Sequence, residues 1–163
     1  GLQVDKLLSD LNYVYDSNKM DVDGSVLVRM DNGAKGIIRA SQIATGEENN
    51  FEVKIYGEQG ALKWRQEQPN ELIYLTEDAP KQVLTPGHSY NSSFSLNGSK
   101  LPPGHPEGIF DAMANIYLGV AKAIRKEEIQ SGEFPDLMDG YRGMLFIERT
   151  LESNKLDNSW VKL

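Results

Sequence analysis

The feature that most constrains this chain is a change in the spacing of its apolar residues near residue 106. Before residue 85 they alternate with polar ones, and after 106 they recur every three or four positions. A period of two lines one face of a strand, whereas a period near 3.6 lines one side of a helix. Leu7, Ser9, Leu11, Tyr13 and Tyr15 alternate with Leu8, Asp10, Asn12 and Val14, which predicts a first strand. Further strands are expected over 25–30, 34–43, 51–56 and 61–65. The intervening segments Asp31-Asn32-Gly33 and Gly57-Glu58-Gln59-Gly60 are turn sequences. Asn-Gly between two alternating runs predicts a tight hairpin, because it supplies the positive φ angles such a turn requires. Short strands near 71–76 and 81–84 would complete a meander of antiparallel neighbours.

Residues 85–106 are rich in Pro, Gly, Ser and Asn, which predicts a long functional loop. A helix is then expected from Pro106, whose missing N–H is tolerated in a first turn. Its apolar stripe would be Ile109, Met113, Ile116, Tyr117, Val120 and Ile124, and Ser131-Gly132 would break it. Asp136 can cap a second helix, with Asp139 in its first turn and an apolar face of Leu137, Tyr141, Met144, Ile147 and Leu151. A last short strand is expected over 159–163. Together these give an α+β fold: a largely antiparallel sheet with helices packed on one face, in a single domain spanning 1–163.

Charge and composition narrow the partners. Seventeen basic and twenty-four acidic side chains give a formal charge of −7. An acidic surface repels phosphate backbones and anionic bilayers, so neither nucleic acid nor membrane is an expected partner. No apolar run approaches the ~20 residues that cross a bilayer. The chain has no cysteine, which excludes disulfides and thiol chemistry. Its start, Gly1-Leu2-Gln3-Val4-Asp5-Lys6, carries no initiator Met and no signal-peptide pattern, as expected of a piece of a longer protein. The reading favours the cytoplasm and leaves open an export signal further upstream.

Residues able to do chemistry are few. No Gly-x-Gly-x-x-Gly follows a strand, so the chain shows no dinucleotide fingerprint. Gly104-His105-Pro106-Glu107-Gly108 sets an imidazole and a carboxylate at a helix mouth, where free N–H groups can hold a polar ligand. The plainer reading of the same residues is the start of a helix. His105, Glu107 and Asp111 have a spacing that could suit a metal, but a first-turn acidic pair more often offsets the helix dipole, and no metal is expected. Glu47-Glu48-Asn49-Asn50 reads either as a solvated turn or as a set of hydroxyl-binding groups. Trp64 and Trp160 read as sheet packing.

The order of several short segments resembles the C-terminal domain of the glucose–fructose oxidoreductase and inositol dehydrogenase (Gfo/Idh/MocA) family. They are Val28-Arg29-Met30-Asp31-Asn32-Gly33-Ala34-Lys35-Gly36, Ala40-Ser41-Gln42, and Ile55-Tyr56-Gly57-Glu58-Gln59-Gly60-Ala61-Leu62-Lys63-Trp64. Gly104 to Gly108, Ala112-Met113-Ala114-Asn115-Ile116-Tyr117, Asp139-Gly140-Tyr141-Arg142-Gly143-Met144 and Ser159-Trp160-Val161-Lys162 continue it.

The resemblance implies a glyceraldehyde-3-phosphate-dehydrogenase-like C-terminal domain whose sheet walls a substrate site and mediates homo-oligomer contacts. It implies an N-terminal Rossmann domain, absent from this chain, that holds NAD or NADP. In such an enzyme a hydride moves between a sugar or polyol carbon and the nicotinamide. The family's catalytic Lys, Asp and His would lie upstream of Gly1, so no catalytic or cofactor-binding residue is carried over, and no cofactor is expected on this piece alone. What carries over is substrate binding at His105, Glu47 and Asn49. Residues 1–163 alone are expected to be inactive and to expose an apolar patch where the Rossmann domain would sit. The alternative is a non-catalytic binding or assembly module that reuses the fold.

Overall fold

The computed structural model describes residues 2–14 and 20–163, so the Tyr15 end of the first expected strand lies outside the described residues. The elements run β1 (Val4–Asn12), β2 (Asp23–Met30), β3 (Lys35–Ser41), β4 (Glu52–Gly57), β5 (Gly60–Arg65), β6 (Leu72–Leu75), β7 (Gln82–Leu84), α1 (Ser93–Gly98), α2 (Ile109–Arg125), α3 (Leu137–Lys155) and β8 (Val161–Lys162). The α+β layout is the expected one. The strands divide between two four-stranded sheets, ordered β3-β2-β1-β8 and β4-β5-β6-β7, in which every described strand pair is antiparallel. The chain forms two compact units, Gly1–Gly46 with Pro135–Leu163, and Glu47–Phe134.

In the first unit, the hairpin between β2 and β3 closes as its sequence predicts. Gly33 takes φ +88°, and its N–H donates to the Met30 carbonyl at 2.9 Å. The core lies on one face of the sheet, where Leu7, Val26, Val28 and Val161 pack with Val4, Met30, Phe146 and Leu163. α3 lies against β1 and β8 on that face. Asp136 and Asp139 form the expected reciprocal cap: the Asp139 N–H donates to the Asp136 carboxylate at 2.8 Å, and the Asp136 N–H to Asp139 at 3.0 Å.

The side of α3 that meets the sheet differs from the expected apolar stripe. Leu137 and Met144 are 88% and 66% exposed, and Tyr141 and Ile147 are exposed as well. The sheet is met by Phe146, Thr150, Ser153 and Asn154. The cause is the shortness of β8, which pairs only with Lys6 and Leu7 and leaves the rest of the β1 edge without a strand. Buried backbone groups must find partners, and α3 with its following turn supplies them. The Ser9 N–H donates to Ser153 Oγ at 2.8 Å and the Leu11 N–H to Asn154 Oδ1 at 2.9 Å. Asn158 Nδ2 donates to the Ser9 carbonyl at 2.7 Å, and Ser9 Oγ to the Thr150 carbonyl at 2.6 Å. Polar side chains thus stand in for the missing strand, and the first part of the apolar stripe, Leu137, Tyr141 and Met144, turns outward, while Leu151 stays half-buried.

The second unit is a meander of β4 to β7 followed by α1 and α2. Gly60 opens β5 beneath the next strand; a Cβ there would stand 2.5 Å from the Leu75 carbonyl oxygen, closer than any side chain allows. The expected long loop contains the short helix α1, capped where Ser92 Oγ accepts the Ser95 N–H at 3.3 Å. α2 starts at Ile109, three residues later than expected, which leaves Pro106 outside the helix. The delay has two causes. The Asp111 carboxylate accepts the Gly108 N–H at 2.8 Å and marks the helix start there, while Asn70 fixes Glu107 in the preceding segment. The helix also ends earlier than Ser131-Gly132. Lys126 adopts left-handed φ +59° and its N–H donates to the Ala123 carbonyl.

Candidate functional site

The sequence Gly104 to Gly108 forms a segment clamped at its Glu107. Asn70 Nδ2 donates to the Glu107 carbonyl and Asn70 Oδ1 accepts the Glu107 N–H, both at 2.9 Å, as a neighbouring strand would. The Glu107 carboxylate then accepts the N–H groups of Lys100 and Leu101, each at 2.5 Å. Glu107 therefore organises backbone, and Asp111 is used at the helix start. Of the three residues spaced for a metal, only His105 keeps a free face. Its ring is exposed, and Nδ1 lies 3.2 Å from the Pro102 carbonyl. When Nδ1 carries the proton for that contact, Nε2 presents a lone pair to solvent, suited to a ligand hydroxyl. Among the described residues, no group of three or more His, Asp or Glu is placed to hold a metal.

A second loop lies beside the first. Gly87 packs against Pro103, with a would-be Cβ 3.1 Å from the Pro103 nitrogen. The next residue, His88, stacks on Tyr90 with ring centroids 5.1 Å apart and planes 9° from parallel. The Tyr90 oxygen sits 3.2 Å from the Thr85 N–H and 3.1 Å from Thr85 Oγ1. These hydrogen bonds favour the phenolate and hold the Tyr90 pKa below the ordinary tyrosine value. Asn91 Nδ2 closes the loop by donating to the Thr85 carbonyl at 2.8 Å. Both histidines of the chain thus belong to neighbouring polar loops. Sequence reasoning missed Asn70 and Tyr90. An Asn between strands and a Tyr in a Pro-Gly loop carry no pattern of their own until the chain folds.

Glu47 and Asn49 lie in the turn before β4. The Glu47 carboxylate accepts from Asn50 Nδ2, and Asn50 Oδ1 accepts from Arg65 Nη2 at 3.1 Å. Asn50 holds left-handed φ +41°, which Asn tolerates better than most residues. Glu47 is thereby tied into the turn, and Asn49 is exposed. Among the described residues, no hydrogen bond joins either of them to His105.

The described elements do not fit a dinucleotide. All described strand pairs are antiparallel, so no strand feeds a parallel crossover. The N-termini of α2 and α3, where a diphosphate would bind, carry the chain's own carboxylates, Asp111 and the Asp136–Asp139 pair.

No family model matches the chain. It is 29% identical over 168 positions to an uncharacterised oxidoreductase, YfiI, of Bacillus subtilis strain 168, covering 99% of this chain and 43% of that protein. An oxidoreductase from Sinorhizobium meliloti superposes with TM-score 0.92 and 34% identity over 99% of this chain and 47% of that one. An inositol dehydrogenase homologue from Azotobacter vinelandii, complexed with NAD+, gives TM-score 0.90 at 24% identity, over 99% of this chain and 43% of that one. The chain therefore spans about half the length of the proteins it matches. The chain is thus similar, over nearly all of its length, to about half of an oxidoreductase, and its fold is that of the matching part of an inositol dehydrogenase homologue.

Proposed function

We propose that this chain is the C-terminal, substrate-side domain of an oxidoreductase that uses NAD or NADP and acts on a sugar or polyol hydroxyl. The observation that carries the reading is the match of 99% of the chain to about half of an oxidoreductase at 34% identity. The rest of such a protein would be a Rossmann domain, which holds the nicotinamide that gives or accepts the hydride. The residues of this chain have other tasks. His105 offers a ring nitrogen to a substrate hydroxyl, and Glu47 and Asn49 offer carboxylate and amide groups of the kind that bind polyols. Clamping of Glu107 by Asn70 holds the His105 segment in place before substrate arrives, and such preorganisation limits the entropy lost on binding.

Exposed apolar side chains support a domain built to be covered. Phe110 and Ile124 of α2 are 86% and 77% exposed, and Leu137 and Met144 of α3 are similarly open. Surfaces of this kind mark contacts with another domain or another chain, here the Rossmann domain and further copies in a homo-oligomer.

The test is nicotinamide absorbance with a panel of sugars and polyols, using the intact protein and residues 1–163 alone. Turnover is expected from the intact protein only. Hydride transfer by residues 1–163 would overturn the division of labour, and an intact protein inert toward every polyol with either nucleotide would overturn the substrate class.

A further inference from the structure

Two polar loops of the second unit, 85–91 and 102–108, meet at one point. Gly87 takes φ +79°, and a Cβ there would lie 3.1 Å from the Pro103 nitrogen and 3.2 Å from Pro103 Cδ. Pro102 opens the turn that carries His105: its carbonyl accepts the His105 N–H at 3.2 Å and lies 3.2 Å from His105 Nδ1. His88 follows Gly87 directly, so this contact sets the two imidazoles of the chain on adjoining loops.

The 85–91 loop is pinned before any ligand arrives. Tyr90 and Asn91 both bond Thr85 at its base, and the His88 carbonyl accepts the Asn91 N–H at 3.0 Å. Tyr90 therefore presents a ring whose hydroxyl is already occupied, and His88 lies nearly parallel to it, 9° between planes. Stacking uses the face of an imidazole and leaves its edge, where both nitrogens lie. Among the described residues, no hydrogen bond reaches either nitrogen of His88, although the ring is half-buried. Neither nitrogen is sealed in, since the sealed and unpartnered side-chain polar atom among the described residues is Arg149 Nε. A packing partner for Tyr90 needs only a flat or apolar side chain. An oriented imidazole with one donor and one acceptor open is equipped for a group that both accepts and donates, as a hydroxyl does.

We infer that His88 is a second substrate-binding residue beside His105, its ring edge hydrogen-bonding a hydroxyl of the sugar or polyol, and that Tyr90 is the positioning residue that holds it. The inference rests on the reading of this chain as the substrate side of a polyol dehydrogenase. Two imidazoles on adjoining loops read two hydroxyls of one substrate, which favours polyhydroxylated ligands over simple alcohols. No proton is transferred at His88, so it sets affinity and specificity and not the rate of the chemical step.

The test measures KM and kcat of the intact protein with NAD or NADP, using myo-inositol, glucose and their deoxy analogues as substrates. His88→Ala should raise KM roughly three- to tenfold, the worth of one hydrogen bond, and change kcat by less than about twofold. At least one deoxy analogue should be a poorer substrate than its parent for the wild type and equal to it for His88→Ala, because the hydroxyl it lacks is the one His88 binds. Tyr90→Leu should raise KM as His88→Ala does and add nothing to it in the double variant, since Tyr90 acts through His88. Tyr90→Phe keeps the stacked ring and should hold KM within about twofold of wild type. With an active wild type, an unchanged KM in His88→Ala would overturn the inference alone. So would equal sensitivity of wild type and variant to every deoxy analogue, which marks a loop staple and not a ligand contact. A wild type inert toward all these substrates would instead overturn the dehydrogenase reading, and this inference with it.

Discussion

Ser153→Ala removes one oxygen from the joint between α3 and β1, and its effect can be worked from the geometry. Ser153 and Ser9 are both 0% exposed. The Ser153 hydroxyl accepts the Ser9 N–H at 2.8 Å and donates to the Ser159 carbonyl at 2.7 Å. In the variant, the buried Ser9 N–H has neither water nor another acceptor within reach, which costs about 1–3 kcal/mol. The Ser159 carbonyl belongs to an exposed residue and can turn to water, adding about 0.5–1 kcal/mol. The expected loss is about 1.5–4 kcal/mol, or a drop in Tm of roughly 3–16 °C for a chain of this size. Urea unfolding gives the free energy, with an unchanged slope showing that the unfolding transition is otherwise the same. Amide exchange should show lost protection at Ser9 in particular. Ser159→Ala is the control, since that exposed hydroxyl bonds only the Leu156 carbonyl and its loss should stay within about 0.5 kcal/mol. If Ser153→Ala also stays within that range and Ser9 exchange is unchanged, the side chains of α3 do not replace a strand at this edge.

Three further outcomes are expected. Asp136→Ala removes the acceptor for the Asp139 N–H and should destabilise the protein by about 0.5–2 kcal/mol, measured by the same unfolding experiment. The Glu133 carboxylate is held below its ordinary pKa first by the Gln130 N–H and then by Lys122, its partner at 3.0 Å. A depressed acid stabilises the fold above its unfolded pKa and loses that contribution as pH falls through the folded value. Thermal scans should therefore show wild type above Glu133→Gln at neutral pH, with the gap closing as pH falls below the ordinary glutamate range; a gap that persists in strong acid would refute the assignment. Asn70→Ala frees both backbone groups of Glu107. In the intact protein it should speed amide exchange over 104–108 and raise KM more than it lowers kcat, whereas unchanged exchange would show that Asn70 does not clamp the segment.

Local signals carried much of this fold. The Asn32-Gly33 turn was legible because few residues take φ +88° without strain, and Gly33 does so. Asp136 and Asp139 were legible as a cap because the reciprocal bond needs only residues three apart. At the candidate site, His105 was visible as an imidazole beside a helix, but the work of Glu107 was not, since its partners lie at Asn70, Lys100 and Leu101. Glu107 and Asp111 read as possible ligands until the fold showed each carboxylate bound to backbone N–H groups.

The sequence by itself determined the strands, the turns and the cap of α3, because each depends on the conformational preferences of a few neighbouring residues. Tertiary structure alone decided that the strands form two sheets and that α3 turns a polar side to β1. Those outcomes depend on which backbone groups remain unpaired once distant strands meet. β8 reaches only two residues along β1, and that shortfall, unreadable from either strand separately, leaves β1 backbone groups for Ser153, Asn154 and Asn158 to meet.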